Sequence, residues 1–141
     1  MPSLRKPEDY IGFQYESLPA QLDPRQASLV DVSDYGITWV RDESMELLWL
    51  EKLICTYWDG VYFEILDALR LPVIGPNDIL AFGQAECRLN GIFDPELVVI
   101  ARIELTGHLT DIKKAWRANR ITERFEELPT TGIDCVVVIS E

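Results

Sequence analysis

One histidine, three cysteines and 13 basic residues are all that this 141-residue chain offers to three common chemistries. A Ser-His-Asp or Cys-His triad would have to use His108, and no G-x-S-x-G elbow accompanies it. His108 follows Gly107 in a turn-like stretch and reads as an exposed turn residue, so no catalytic residue is assigned. Cys55, Cys87 and Cys135 are widely spaced and form no CxxC pair, which speaks against a zinc knuckle and a thioredoxin-type redox pair. All three are read as free, buried, small hydrophobes. The 13 Lys and Arg face 24 Asp and Glu, a formal net charge of -11. Nucleic-acid affinity comes mainly from cations on phosphates, so the charge has the wrong sign for it, and for anionic membrane surfaces too. A basic stretch at Lys113, Lys114, Arg117, Arg120 and Arg124 is broken up by Asp111, Glu123, Glu126 and Glu127.

Long apolar runs are also missing. None approaches the roughly 20 residues that cross a bilayer, and MPSLRKPEDY lacks the apolar core of a secretory signal. The expected compartment is therefore the cytoplasm. Phosphate-cradling GxxxxGK[ST] and GxGxxG motifs are absent. Asp31–Gly36 resembles the opening of a calcium loop, but Tyr35 stands at its fifth position and Asp42 at its twelfth. A turn of solvated acids accounts for it better. No metal and no cofactor is expected.

What is present is enough apolar material for a core: 48% of the residues, with 26% charged. Residues 1–36 carry Pro2, Pro7, Pro19 and Pro24 without a sustained apolar period, and read as an irregular arm with one short strand near Ile11–Tyr15. Residues 37–141 read as a single globular domain. Its strongest local signal is Tyr57-Trp58-Asp59-Gly60-Val61-Tyr62, where Asp-Gly between apolar runs marks a two-residue hairpin turn. That turn sets Trp58 opposite Val61, Ile54 opposite Ile65, Lys52 opposite Asp67 and Trp49 opposite Arg70, within strands near 47–58 and 61–70. A helix over 43–53 capped by Asp42 competes, and a short helical turn near 43–47 would reconcile the two.

Further on, Ile79–Leu89 reads as a strand, Asn90-Gly91 as a turn with positive φ, and Val98–Ile103 as a β-branched strand. Over 110–128 the apolar residues fall on opposite sides of a helical wheel, so two strands with a loop at Asn119–Glu123 are expected, with Trp116 opposite Phe125 and Lys114 opposite Glu127. One helix in a β-α-β unit remains the alternative. Ile133–Ile139 reads as a last, buried strand.

The expected fold is α+β and mainly antiparallel β: one sheet-dominated domain with a long central hairpin and few short helices. The expected function is a non-enzymatic protein-binding or adaptor protein of the hairpin, with an unidentified protein partner or a homo-oligomer. Interface candidates are Trp49, Tyr57, Trp58, Tyr62 and Arg70, with acidic rims at Asp42, Glu43 and Glu46, because Trp, Tyr and Arg dominate binding hot spots. The plainer reading is a hairpin buried on both sides. The alternative function is a small-molecule-binding protein or enzyme with a pocket on the concave side of the sheet, lined by Tyr62, Trp116 and Arg117.

Overall fold

The computed structural model describes residues 6–16, 22–43, 45–56, 60–83 and 85–138. They form three antiparallel sheets. Sheet A has five strands in the order β1 (Gln14–Tyr15), β5 (Gly60–Arg70), β4 (Met45–Thr56), β3 (Tyr35–Asp42) and β2 (Leu22–Leu29). Sheet B has four, β12 (Arg124–Leu128), β11 (Ile112–Asn119), β9 (Leu97–Arg102) and β6 (Asp78–Ala81). Sheet C is β10 (His108–Leu109), β13 (Ile133–Val136), β7 (Glu86–Leu89) and β8 (Ile92–Phe93). Among the described residues the only helical element is a 3-10 turn at Pro7–Tyr10. The fold is thus mainly β, and the α+β expectation with its few short helices is corrected: residues 43–53 and 110–127 are strands and turns throughout the described positions.

Strand alternation builds three apolar layers. Leu48 and Leu50 of β4 and Ile37 of β3 face Val98 and Ile100 of β9 and Trp116 and Ala118 of β11, closing sheet A on sheet B. The opposite sides of the same sheet B strands present Leu97, Val99, Ala101 and Ala115 to Cys87, Cys135 and Ile133 of sheet C. On the outer face of sheet A, Val40, Leu47, Trp49 and Ile65 pack under Tyr10 and Phe13. Strands β4 and β9 are apolar on both faces because each lies in the interior of a stack, which is why both read as unbroken apolar runs.

The long hairpin exists, but in a different register. Ile54 pairs with Tyr62, Lys52 with Glu64 and Trp49 with Ala68, where the turn chemistry predicted Ile65, Asp67 and Arg70. Thr56 pairs with Gly60, so the Asp-Gly pair does not close the hairpin as a two-residue turn; Tyr57, Trp58 and Asp59 lie outside the described residues. A bulge then shifts the register between Leu50 and Glu51, so that Ile65 and Ala68 both reach the outer face. In the β11–β12 hairpin Trp116 pairs with Glu127 and Ala118 with Phe125. That two-residue slip from the expected pairing keeps Trp116 and Phe125 on one face.

Three further expectations are corrected. Residues 79–89 are two strands, with the turn at Phe82–Ala85 carrying the chain from sheet B to sheet C. Residues 22–29 join sheet A despite Pro24, since β2 is an edge strand and its register shifts between Pro24 and Gln26, the places where proline is tolerated in a sheet. Cys87 and Cys135 are not free: they sit directly opposite each other on β7 and β13 and form a disulfide. Such bonds persist in oxidising compartments, whereas reducing ones keep the thiols apart. No helix among the described residues is long and apolar enough to cross a membrane.

Candidate functional site

The β4–β5 hairpin runs past its neighbours. Strand β3 pairs with β4 no further than Lys52, and β1 pairs with β5 no further than Phe63. Beyond a bond from the Leu53 N–H to the Asp34 carbonyl (2.7 Å), the strand pairing at this end is between β4 and β5, Ile54 with Tyr62 and Thr56 with Gly60. Leu53 and Phe63 pair on one face of this arm, Ile54 and Tyr62 on the other; all four are half-buried, and Val61 is 53% exposed. Its four apolar residues are less buried than Leu47–Leu50. Carboxylates flank it: Asp34 and Glu16 are exposed, and Glu64 accepts a hydrogen bond from Gln14 Nε2 (2.7 Å).

The interface candidates are thus divided. Tyr62 lies on the arm and Tyr57 and Trp58 lie outside the described residues. Trp49 is fully buried, with Tyr10 and Tyr15 rings 5.1 and 5.7 Å from its own, and presents no surface. Arg70 is exposed at the far end of β5, opposite Leu47. Of the acidic rim, Asp42 is buried and accepts from the Tyr10 hydroxyl, Glu43 is exposed, and Glu46 accepts from Trp39 Nε1 at 2.7 Å and Arg41 Nε at 2.8 Å.

The three pocket candidates do not meet in one cavity. Trp116 fills the core between sheets A and B, and its neighbour Arg117 points to the other face of sheet B, where it donates to Asp94 (2.6 Å) and Glu96 (3.2 Å). Arg120 donates to Glu96 as well (2.9 Å), completing a partly buried ionic network. Burial pushes the Glu96 carboxyl up, but the hydrogen bonds from Arg120 and Arg117 outweigh it and hold the group below its ordinary value. Tyr62 lines a shallow cleft with Gln14, Tyr15 and Glu16.

His108 stands on the exposed edge of sheet C, its Nε2 2.7 Å from Asp134, which also binds Arg88. These two partners depress the Asp134 carboxyl despite its partial burial. No serine or threonine hydroxyl and no thiol among the described residues hydrogen-bonds the imidazole; His108, Asp134 and Arg88 link strands β10, β13 and β7.

The chain matches no known protein family, curated protein or solved structure. Its chemistry therefore rests on its own geometry.

One constellation escaped sequence reasoning. Glu51 is 3% exposed on the outer face of β4, between Trp49 and Leu53. The Tyr15 hydroxyl donates to its Oε1 (2.6 Å), and Thr38 on β3 hydrogen-bonds it too. Burial pushes the Glu51 carboxyl above its ordinary value although both hydrogen bonds pull it down, and burial beside Glu51 pushes the Tyr15 phenol up. The signal was present: a carboxylate in phase with Leu47, Trp49 and Leu53 on a buried strand face.

Proposed function

We propose that this protein is a non-enzymatic binding module that contacts a basic protein partner through the projecting end of the β4–β5 hairpin. One observation carries the reading: the hairpin extends beyond β3 at Leu53 and Ile54 and beyond β1 at Tyr62 and Val61, with apolar side chains on both faces and Phe63, still paired with Tyr15, at its base. Single exposed hydrophobes are ordinary on a protein surface, but apolar faces grouped on one projection mark an interaction site. The net charge of -11 and the flanking Asp34, Glu16 and Glu64 favour a partner of opposite charge, whose approach they would accelerate.

The test is capture from a lysate of the source organism at low and moderate salt, read by mass spectrometry, with wild type, Val61→Asp and Ile121→Asp as baits. Val61 and Ile121 are both exposed, so neither change disturbs the core, and only Val61 lies on the arm. The expected result is a basic protein retained at moderate salt by wild type and Ile121→Asp and lost with Val61→Asp. A protein retained equally by all three baits overturns the arm as its site. A wild-type homodimer split by Val61→Asp keeps the arm but replaces the basic partner by a second copy.

A further inference from the structure

The outer face of sheet A holds a cleft of about 180 Å³ at Glu51, bounded by Leu29, Gly36, Thr38 and Phe63. Phe63, at the base of the arm, is one of its walls, while Glu51, Gly36 and Thr38 belong to the paired part of β3 and β4. Among the described residues no lysine or arginine forms an ion pair with Glu51, whereas the other strongly held carboxylates, Glu96 and Asp134, each have one. A carboxyl this far from water is costly to ionise unless a cation reaches it. The cleft leaves a path for one. Gly36 sits inside a strand without a positive φ, so no backbone conformation requires glycine there. A Cβ at Gly36 would stand 3.3 Å from the Ser28 carbonyl oxygen, 3.6 Å from Glu51 Cγ and 3.7 Å from Leu29 Cδ2, so glycine is what lets these groups pack closely around the carboxyl. Glycine within a strand often marks such a close approach. The walls suit an organic cation: the Phe63 ring supplies an aromatic surface and Leu29 an aliphatic one.

We propose that this cleft binds a primary ammonium on a short alkyl chain, with the Glu51 carboxylate as its counter-ion. The ammonium has three donors, which match the carboxylate and the Thr38 hydroxyl, and its methylenes lie along Leu29 and Phe63. A neutral alcohol of the same length has the stem without the charge and is the natural control. The same headgroup occurs on free amines and on lysine side chains, so both belong in the experiment.

Wild type is titrated with n-butylammonium, with an N-acetyl-lysine amide peptide and with n-butanol. The readouts are calorimetry and the fluorescence of Trp49, whose ring lies 5.7 Å from that of Tyr15. Saturable binding of at least one ammonium probe and none of butanol is expected, with a loss of about tenfold or more in affinity for Glu51→Gln. Affinity should rise with pH across the range in which Glu51 ionises. Among the described residues the titratable group that faces it is the Tyr15 phenol; β2, β3 and β5 present Leu29, Thr38 and Phe63. Gln keeps the acceptor that Tyr15 needs, so Glu51→Gln should fold. Ala27→Trp, at an exposed position on the cleft wall, blocks the site without touching the carboxyl and should abolish binding as well. Butylammonium binding assigns the site to free amines, and binding of the lysyl probe alone assigns it to a polypeptide side chain. Butanol binding as well as the ammonium, unchanged affinity in both variants, or no saturation with either ammonium overturns the proposal.

Discussion

Two buried acids on the outer face of sheet A give the sharpest single-residue expectations. Asp42 is 4% exposed, its Oδ2 accepts from the Tyr10 hydroxyl and its Oδ1 has no partner. Tyr10→Phe removes the hydrogen bond that the buried Asp42 carboxylate accepts from the Tyr10 hydroxyl, at a cost of about 1–3 kcal/mol, read as a lower urea midpoint. Glu51 predicts a pH dependence. Its folded carboxyl titrates above the ordinary 4.5, so between that value and its raised one the native state holds more proton than the unfolded state. Stability from this group is therefore complete below 4.5 and declines as pH rises through the raised value. Glu51→Gln should remove that decline, so the mutant gains on wild type from pH 4.5 upward in paired urea titrations. A parallel pair of curves would show that Glu51 does not titrate within the fold. The clue at this scale lay in phase, since Glu51 shares the strand face of Trp49. Asp42 gave no such sign, because what buries it is Tyr10, 32 residues away in sequence.

At the scale of the element, alternation and turn chemistry found the strands but not their alignment. Asn90-Gly91 is a turn with φ of 53° and 81° between β7 and β8, as the pair of residue types requires. Gly60 also has a positive φ, 88°, yet Asp-Gly there misled the register, because Gly60 already pairs with Thr56. An odd slip moves every side chain to the other face, which is why Ile54 lies with Tyr62 rather than with Phe63. The bulge at Leu50–Glu51 left no trace in residue type, so the apparent Lys52–Asp67 pair was a coincidence of spacing. Asp67 instead accepts from the Phe125 N–H (2.7 Å), joining the hairpin to the edge of sheet B. The Cys87–Cys135 bond was equally hidden, since it links positions 48 apart across a pairing that only the fold creates. In the chain-entropy account a loop of that length is worth about 4 kcal/mol. Reduction, or Cys87→Ser with Cys135→Ser, should lower the unfolding free energy by about that amount; a change below about 1 kcal/mol would show that β7 and β13 hold together without the bond.

Over the whole molecule, composition spoke to charge and to the presence of a core, while the stacking of three sheets depends on contacts far apart in sequence. A net charge of -11 on a chain of 141 residues makes the native state repel itself. Raising ionic strength from about 0.01 to 0.15 M shortens the screening length from about 30 to 8 Å and should raise the thermal midpoint. A midpoint that falls instead would mean that ion pairs such as Arg117–Asp94 outweigh the repulsion.

Strand order also sets a sequence of events during synthesis. Among the described residues strand β13 comes last, yet it lies inside sheet C, between β10 and β7. Until it emerges, β10 has no neighbour in its sheet, and the side of sheet B carrying Leu97, Val99 and Ala101 has lost part of its cover. The third layer therefore closes last. The Cys87–Cys135 disulfide, formed when both thiols give their electrons to an external oxidant, can then serve as a covalent mark that separates molecules with a closed third layer from those without one on a non-reducing gel.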